Sequence, residues 1–203
     1  MIIDNLAGLA AIYGDLPTLA STAKEADRLT DAYRRLIAAS PFVALATVGP
    51  EGLDCSPRGD MGSVVRVLDE RTLALPDRRG NNRIDSLRNI VRDPRVALLF
   101  LIPGSGTTFR VNGRAAISAD TALRESFAVD GKTPRTVIIV TVAACYFQCA
   151  RAIVRARLWK PESWPDAALL PTPGTILDEM TKGEIDAGAY DAEWPGWAAG
   201  TLW

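Results

Sequence analysis

LPDRRGNNRIDSLRNI, at residues 75–90, joins a short apolar strand to a helix. Residues 71–75 read as the strand, and Ile84, Leu87 and Ile90 recur at helical spacing, which predicts a helix that begins near Asn82. The connection between them holds three arginines, two asparagines and one glycine. The first N–H groups of a helix are unpaired and the helix dipole adds positive charge, so this corner suits an anion.

The arginines of this connection, Arg78, Arg79 and Arg83, add full charges and forked donors that match phosphate oxygens. A phosphate-bearing ligand is therefore one interpretation of residues 75–90. A solvated, charged loop is the alternative, because the stretch matches none of the standard glycine fingerprints for phosphate.

Outside residues 75–90, apolar runs and turn residues alternate along the chain. They predict strands at 42–48, 53–58, 62–68, 72–75, 95–102, 107–118 and 135–147, and helices at 22–39, 120–127 and 148–159. Hairpins join most of these strands, whereas a doubly wound sheet needs a helix at each crossover. The pattern predicts a mainly β fold with peripheral helices, built on an antiparallel barrel of six strands. We divide the chain into an arm and helix (1–40), the barrel (41–160) and a tail (161–203) with one helix near 175–182.

The composition excludes several classes of function. A net charge of -1 argues against nucleic acid and anionic membranes as partners. The chain has no histidine, which removes His-based triads and His metal sites. Cys55, Cys145 and Cys149 have no metal-ligand spacing, and their odd number favours a reduced, cytoplasmic compartment. Neither a signal peptide at the N-terminus nor an apolar run of about 18 residues is visible. Any chemistry is therefore expected to come from a cofactor.

Several stretches in a fixed order carry a resemblance to a known family. They are SPFVALAT (40–47), SPRGD (56–60), PDRRGNNR (76–83), SLRNI (86–90), DPRVALLF (93–100), FRVNGRA (109–115) and residues 149–159. Over 30–160 the chain resembles the pyridoxamine 5′-phosphate oxidase-like flavoproteins, which have the FMN-binding split barrel, and is closest to a bacterial subgroup of unassigned substrate. The order and spacing of the stretches carry the resemblance, since no single one is specific.

The resemblance implies a homodimer with FMN at the interface between the two copies. The residues implied for the phosphate and ribityl chain are Arg78, Asn81, Asn82, Arg83 and Ser86, and those along the ring and ribityl chain are Ser56, Pro57, Arg58 and Asp60. Leu75 and Pro76 complete the pocket wall, and the partner subunit supplies Gln148, Arg155, Arg157 and Trp159. The last group has an alternative interpretation, in which the arginines solvate a helix and the tryptophan packs in the core.

The sequence also departs from the family pattern. Asn-Arg-Ile-Asp-Ser (82–86) stands where related enzymes have a Ser/Thr-Arg-Lys group, and residues 161–203 have no counterpart of the segment that binds pyridoxine phosphate. We therefore do not assign pyridoxamine phosphate oxidation, and expect an FMN-dependent oxidoreductase of unknown substrate. The alternatives are a flavin- or haem-binding storage protein and a deazaflavin-dependent reductase. The tail, which holds four of the five tryptophans, is expected to pack on the barrel or the dimer.

Overall fold

The strands form one antiparallel sheet. The computed structural model describes residues 2–14 and 17–203, so that Met1, Asp15 and Leu16 of the predicted arm lie outside the described residues. The strands are β1 (Phe42–Gly49), β2 (Gly52–Gly59), β3 (Arg66–Val67), β4 (Thr72–Pro76), β5 (Arg95–Leu101), β6 (Thr108–Ser118) and β7 (Val137–Gln148). Their order is β2-β1-β5-β6-β7-β4-β3, and each pair is antiparallel. The predicted split-barrel fold is confirmed, with seven strands instead of six.

Long strands rich in Val and Ile curve around one hydrophobic core. Phe100, Phe109 and Ile138 are completely buried there. The register between β6 and β7 shifts at Asn112 and Gly113. A Cβ atom at Gly113 would lie 2.2 Å from the backbone oxygen of Thr141, so only glycine allows the strands to approach at this shift.

Eight helices are described around the sheet. They are α1 (Leu6–Tyr13), α2 (Leu19–Thr22), α3 (Asp31–Ala38), α4 (Asp85–Arg92), α5 (Thr121–Glu125), α6 (Arg151–Arg155), α7 (Pro173–Thr181) and α8 (Ala187–Thr201). Helix α3 buries Tyr33 and Ile37 against the core, and α4 packs on β1. No helix among residues 2–14 and 17–203 is long and apolar enough to cross a membrane.

The predicted helix at 22–39 is wrong in its first half. Residues 23–30 are not helical, because Ala26 forms a β-bridge with Cys145 through two backbone hydrogen bonds of 2.8 and 3.0 Å. The helix then starts after Thr30, whose side-chain oxygen accepts a hydrogen bond from the backbone N–H of Tyr33. The tertiary bridge therefore overrides the helical periodicity of this segment.

Two other predicted elements are shorter than expected. Of the strand at 62–68 only β3 is paired, because the backbone N–H of Val64 donates to Ser40 on the chain before β1. Of the helix at 148–159 only α6 forms, and Arg157 takes a left-handed φ of 51° soon after it. In both segments the regular element ends where the backbone makes a contact or takes a conformation that a strand or helix does not allow.

The tail is more helical than predicted. The helix expected near 175–182 is present as α7, whereas α8 was missed because Gly188, Pro195, Gly196 and Gly200 weaken its helical signal. Helices α7 and α8 pack on each other at Gly174, where a Cβ atom would lie 2.4 Å from the backbone oxygen of Ala187. The domain boundaries stay a prediction.

Strand β2, at one edge of the sheet, lies close to the chain that follows β4, the strand next to the other edge. Two Arg–Asp pairs connect them. Arg78, after β4, contacts the Asp60 carboxylate at the end of β2 at 2.7 Å, and Arg58 on β2 lies 3.9 Å from Asp77 after β4. These contacts between segments that are distant in the sheet order place β2 and the 77–84 loop on opposite walls of one cavity.

Candidate functional site

A cavity of about 640 Å³ lies between β2 and the loop that connects β4 to α4. Its volume is within the range of about 300–1,000 Å³ that small-molecule sites have. It is lined by Asp54, Ser56, Arg58, Asp77, Arg78, Arg79, Gly80, Asn81, Asn82, Arg83, Ile84, Asp85, Ser86, Arg135 and Trp203. The structure thus brings together seven of the predicted site residues, namely Ser56, Arg58, Arg78, Asn81, Asn82, Arg83 and Ser86.

Every second residue of strand β2 lines the cavity. Asp54, Ser56 and Arg58 share one face of the strand, as the period of two requires. Pro57 was predicted as a site residue, but it lies on the other face and is exposed, so its ring does not line the cavity. Alternation along the strand decides which residues of the SPRGD motif reach the site.

A hydrogen-bond network forms one wall of the cavity. The hydroxyls of Ser56 and Ser86 are 2.9 Å apart, and Ser86 Oγ donates to the Asp54 carboxylate at 3.1 Å. Thr47 connects the network to α4, because its hydroxyl accepts from the Asn89 amide at 3.1 Å. Ser86 is 3% exposed and Asn89 is 7% exposed, so the network fixes the first turn of α4 against β1 and β2.

The loop before α4 has an unusual backbone. Asn82 and Ile84 have φ values of 62° and 54°, which are uncommon for residues other than glycine and costly for a β-branched one. Ile84 is the N-cap of α4 and makes no side-chain cap hydrogen bond. The helix therefore begins at Asp85, three residues later than predicted, and its first N–H groups are left without a side-chain cap beside the cavity.

The cavity lining is positively charged. Five arginines (Arg58, Arg78, Arg79, Arg83 and Arg135) outnumber three aspartates (Asp54, Asp77 and Asp85). Arg78 is paired with Asp60, which lies outside this lining, so the other four arginines leave a net charge of +1. The Nε atom of Arg58 is buried without a hydrogen-bond partner, an arrangement that costs free energy unless an acceptor is bound. The site therefore suits an anionic ligand that also offers an acceptor to Arg58.

Arg135 is a site residue that the sequence analysis missed. It precedes β7, far from residues 75–90 in the chain, and its guanidinium donates to the Asn82 side-chain oxygen at 3.2 Å. The pairing of β4 with β7, in which Pro76 lies opposite Val137, brings it there. No signal in the sequence around Arg135 distinguishes it from the other arginines.

Arg78, Pro76 and Asp60 make contacts that differ from those predicted for them. The Arg78 guanidinium donates to the Asp60 carboxylate and to the Phe127 carbonyl, both at 2.7 Å, so it is turned away from α4. Pro76 and Asp60 line a second cavity on the other side of Arg78. Leu75 is 1% exposed, packs in the barrel core and lines neither of these two cavities, so its place in a pocket wall stays a prediction.

The remaining four predicted residues lie at the opposite end of the sheet. Gln148 ends β7, whereas the cavity adjoins the start of that strand, at the other end of its 12 residues. Trp159 donates its indole N–H to the Ser105 carbonyl at 2.7 Å, and Arg157 pairs with Glu162 at 3.3 Å. Arg155 ends α6 and is exposed. None of the four lines the described cavities of its own chain.

Metal-ligating groups do not cluster in the part of the chain that the structure describes. No set of three Asp, Glu, Cys or His side chains there could hold a metal ion. The three cysteines are free thiols, of which Cys145 is buried and Cys55 and Cys149 are exposed. The chemistry of the described site is therefore that of arginine, aspartate, serine and backbone amides.

Comparison with known protein families identifies the family of this chain. A family model described as pyridoxamine 5′-phosphate oxidase matches residues 29–149, more than half of the chain. A search of curated proteins finds no match.

Three solved structures are similar to the chain. A candidate pyridoxamine 5′-phosphate oxidase from Lactobacillus delbrueckii is 24% identical, with a TM-score of 0.49 over 60% of this chain and 95% of that one. HupZ from Group A Streptococcus is 22% identical, with a TM-score of 0.46 over 56% and 89%. An F420 reductase is 20% identical, with a TM-score of 0.44 over 58% and 98%. At these sequence identities and TM-scores, similarity to the three structures does not indicate which ligand the chain binds or which reaction it catalyses.

Asp77 gives the site a measurable pH dependence. Burial raises the pKa of its carboxyl above the ordinary 3.8, against the opposite effect of Arg58 and Arg135. The folded protein then holds this proton more tightly than the unfolded chain, so Asp77 lowers stability as the pH rises from 3.8 through the folded pKa. We expect Asp77→Asn to gain stability relative to the wild type between pH 4 and pH 7, measured by urea unfolding.

Asp93→Asn is the control for this titration. The side chain of Arg95 lowers the pKa of Asp93 to about 2, so the stability that Asp93 contributes is complete above 3.8 and is lost only at lower pH. This variant should therefore be less stable than the wild type by the same amount at pH 4 and pH 7. A difference between Asp77→Asn and the wild type that does not change with pH would contradict the placement of Asp77.

Proposed function

The chain belongs to the pyridoxamine 5′-phosphate oxidase family, and we propose that it binds FMN and acts as an FMN-dependent oxidoreductase. Proteins of this family generally bind a flavin. The observation that carries the proposal is the cavity between β2 and α4, with its net positive charge and the unpartnered Nε atom of Arg58. A phosphate-bearing cofactor would neutralise that charge and supply the missing acceptor.

The phosphate would lie at the loop before α4. The uncapped N–H groups of Asp85 and Ser86 and the helix dipole favour an anion at this end of α4. Arg83 is 77% exposed and, among the described residues, pairs with Asp85 alone, so its remaining donors can reach an incoming phosphate. The left-handed backbone at Asn82 and Ile84 sets the curvature of this loop, which supports a role in holding a ligand.

The other end of the cofactor would lie along β2. Arg58 is about three-quarters buried beside Asp77, so its charge acts in a region with little water and is only weakly screened. It would orient the polar edge of a flavin ring and stabilise negative charge on it. The flavin, when bound, would supply the transfer of electrons, and the chain has no histidine that could serve as a proton shuttle. The proposal leaves the substrate open and does not include pyridoxamine phosphate oxidation.

A homodimer completes the proposal. Gln148, Arg155, Arg157 and Trp159 lie at the far end of β7 and cannot reach the cavity of their own chain. A second copy arranged around a two-fold axis could bring them to it, since such an interface exchanges the same residues in both directions. The free cysteines support a reduced, cytoplasmic setting for this dimer.

The absorbance spectrum of freshly purified protein, together with the identity of the released cofactor, tests the proposed function. We expect flavin bands and release of FMN. A deazaflavin spectrum would favour the reductase that uses that cofactor, and a Soret band would favour haem binding. FMN that is bound but not reduced by any of a panel of reductants would favour storage. Protein that is colourless and fails to bind added FMN would contradict the proposal.

Truncation of Arg58 tests the cofactor site itself. Arg58→Ala removes a buried cationic donor, and charge-assisted hydrogen bonds contribute about 1.5–3 kcal/mol, so FMN affinity should fall about tenfold or more. Arg83→Ala should also weaken binding, but less, because this side chain is largely exposed. FMN fluorescence titrations measure both, with Arg114→Ala, an exposed arginine on β6, as the control. An Arg58→Ala variant that binds FMN like this control would rule out the assigned site.

Truncation of Arg155 tests the contribution of the partner subunit. Arg155 is exposed and lies outside the cavities of its own chain, so Arg155→Ala should change FMN affinity only if a second copy brings it to the site. We expect affinity to fall about threefold to tenfold, as for other partly exposed charged contacts. Arg151→Ala at the other end of α6 is the matched control, and sedimentation gives the oligomeric state. A monomer with unchanged FMN affinity in both variants would contradict the dimeric site.

A further inference from the structure

A second cavity of about 880 Å³ adjoins the first. It is lined by Gly59, Asp60, Met61, Ser63, Val65, Arg66, Pro76, Arg78, Arg79, Ser126, Phe127, Ala128, Val129, Leu202 and Trp203. Most of these are apolar, in contrast to the arginines and aspartates of the first cavity. The wall that the two cavities share is formed by Arg78, Arg79 and Trp203.

Trp203 brings an unused hydrogen-bond donor to this shared wall. Its indole Nε1 atom is buried and has no hydrogen-bond partner. Indole is only a donor, and a buried donor without an acceptor costs free energy. Trp203 lies two residues beyond the end of α8, and its backbone N–H donates to the carbonyl of the buried Thr201 at 3.1 Å. A ligand with an oxygen acceptor would satisfy the indole N–H.

Among the charged residues that line the second cavity, Arg66 and Arg79 have no carboxylate partner, and Arg79 is the one whose donors are not used by described residues. Asp60 is neutralised by Arg78 at 2.7 Å. The Arg66 guanidinium is held by two hydrogen bonds of 2.8 Å to Ser126 and lies 3.8 Å from the centre of the Phe127 ring. Arg79 is exposed and makes no ion pair with any residue in the described ranges 2–14 and 17–203. The cavity therefore combines apolar walls with one available positive charge.

We propose that the second cavity binds a planar, largely apolar molecule that carries one anionic group. Its ring packs against the Trp203 indole, its anionic group lies at Arg79, and an oxygen atom accepts from the Trp203 N–H. Aromatic side chains favour flat partners, and an arginine at the edge of an apolar site selects for a negative charge. This molecule would be the substrate, a role that rests on the proposed function, whereas the binding itself needs no flavin.

A fluorescent aromatic anion, anilinonaphthalene sulfonate, is a direct probe of this cavity. We expect one dye per chain, bound with equal affinity over a range of protein concentrations and with or without FMN. Benzoate should displace it more effectively than neutral benzyl alcohol does. The affinity should fall about fivefold in Trp203→Ala, which loses an aromatic contact, and severalfold in Arg79→Ala. Trp197→Ala and Arg114→Ala, both at exposed positions that line neither cavity, are the matched controls.

Several outcomes would overturn the proposal. The first is dye binding that is equal in all four variants, and the second is displacement by benzyl alcohol that is as effective as displacement by benzoate. The third is complete displacement of the dye by FMN. The fourth is a dye affinity that depends on dimerisation of the protein, which would assign the cavity to a second copy. Should Trp203→Ala fail to fold, Trp203→Phe keeps the ring and should retain the dye, while Arg79→Ala tests the charge. Protein that binds the dye in the expected pattern but no FMN would refute the proposed function alone.

Discussion

Two arginine–aspartate pairs connect β2 to the loop that follows β4, and the site lies between these two segments. Arg78–Asp60 and Arg58–Asp77 thus join β2, at one end of the sheet order, to the chain after β4, the strand next to the other end. Their side chains are only about one-fifth to one-quarter exposed, so each charge needs its partner to offset the loss of hydration. The same four residues therefore close the barrel and form the walls of its two cavities.

The chain breaks several local rules around these pairs. An isoleucine occupies a left-handed conformation as the N-cap of α4, and donor atoms of Arg58 and Trp203 are buried without acceptors. Burial also raises the pKa of Asp77. Each feature costs free energy in the folded chain, and all of them line one connected space. Such violations are expected where a structure is built to receive a ligand and not for stability alone.

Much of the fold and part of the site could be predicted from local patterns. The apolar runs that became β1, β5, β6 and β7 were placed almost to the residue, because period-two and continuous apolar patterns are strong signals. The loop before α4 was located correctly because its arginines and asparagines stand out between two periodic segments. The prediction of a helix at 22–39 was wrong in the segment where a bridge to Cys145 replaces the helix. Helix α8 was not predicted because its glycines and proline weaken the helical pattern.

The sequence by itself determined the mainly β class, the antiparallel strands and the concentration of positive charge at residues 78–83. These features depend on neighbouring residues, whose effects act within a few positions of the chain. Only the tertiary structure decided that Arg135 and Trp203 join the site, that Leu75 packs in the core and that Arg78 turns to Asp60. The reason is that the curl of the sheet and its register across β4 and β7 choose which distant residues meet, and no local pattern records that choice.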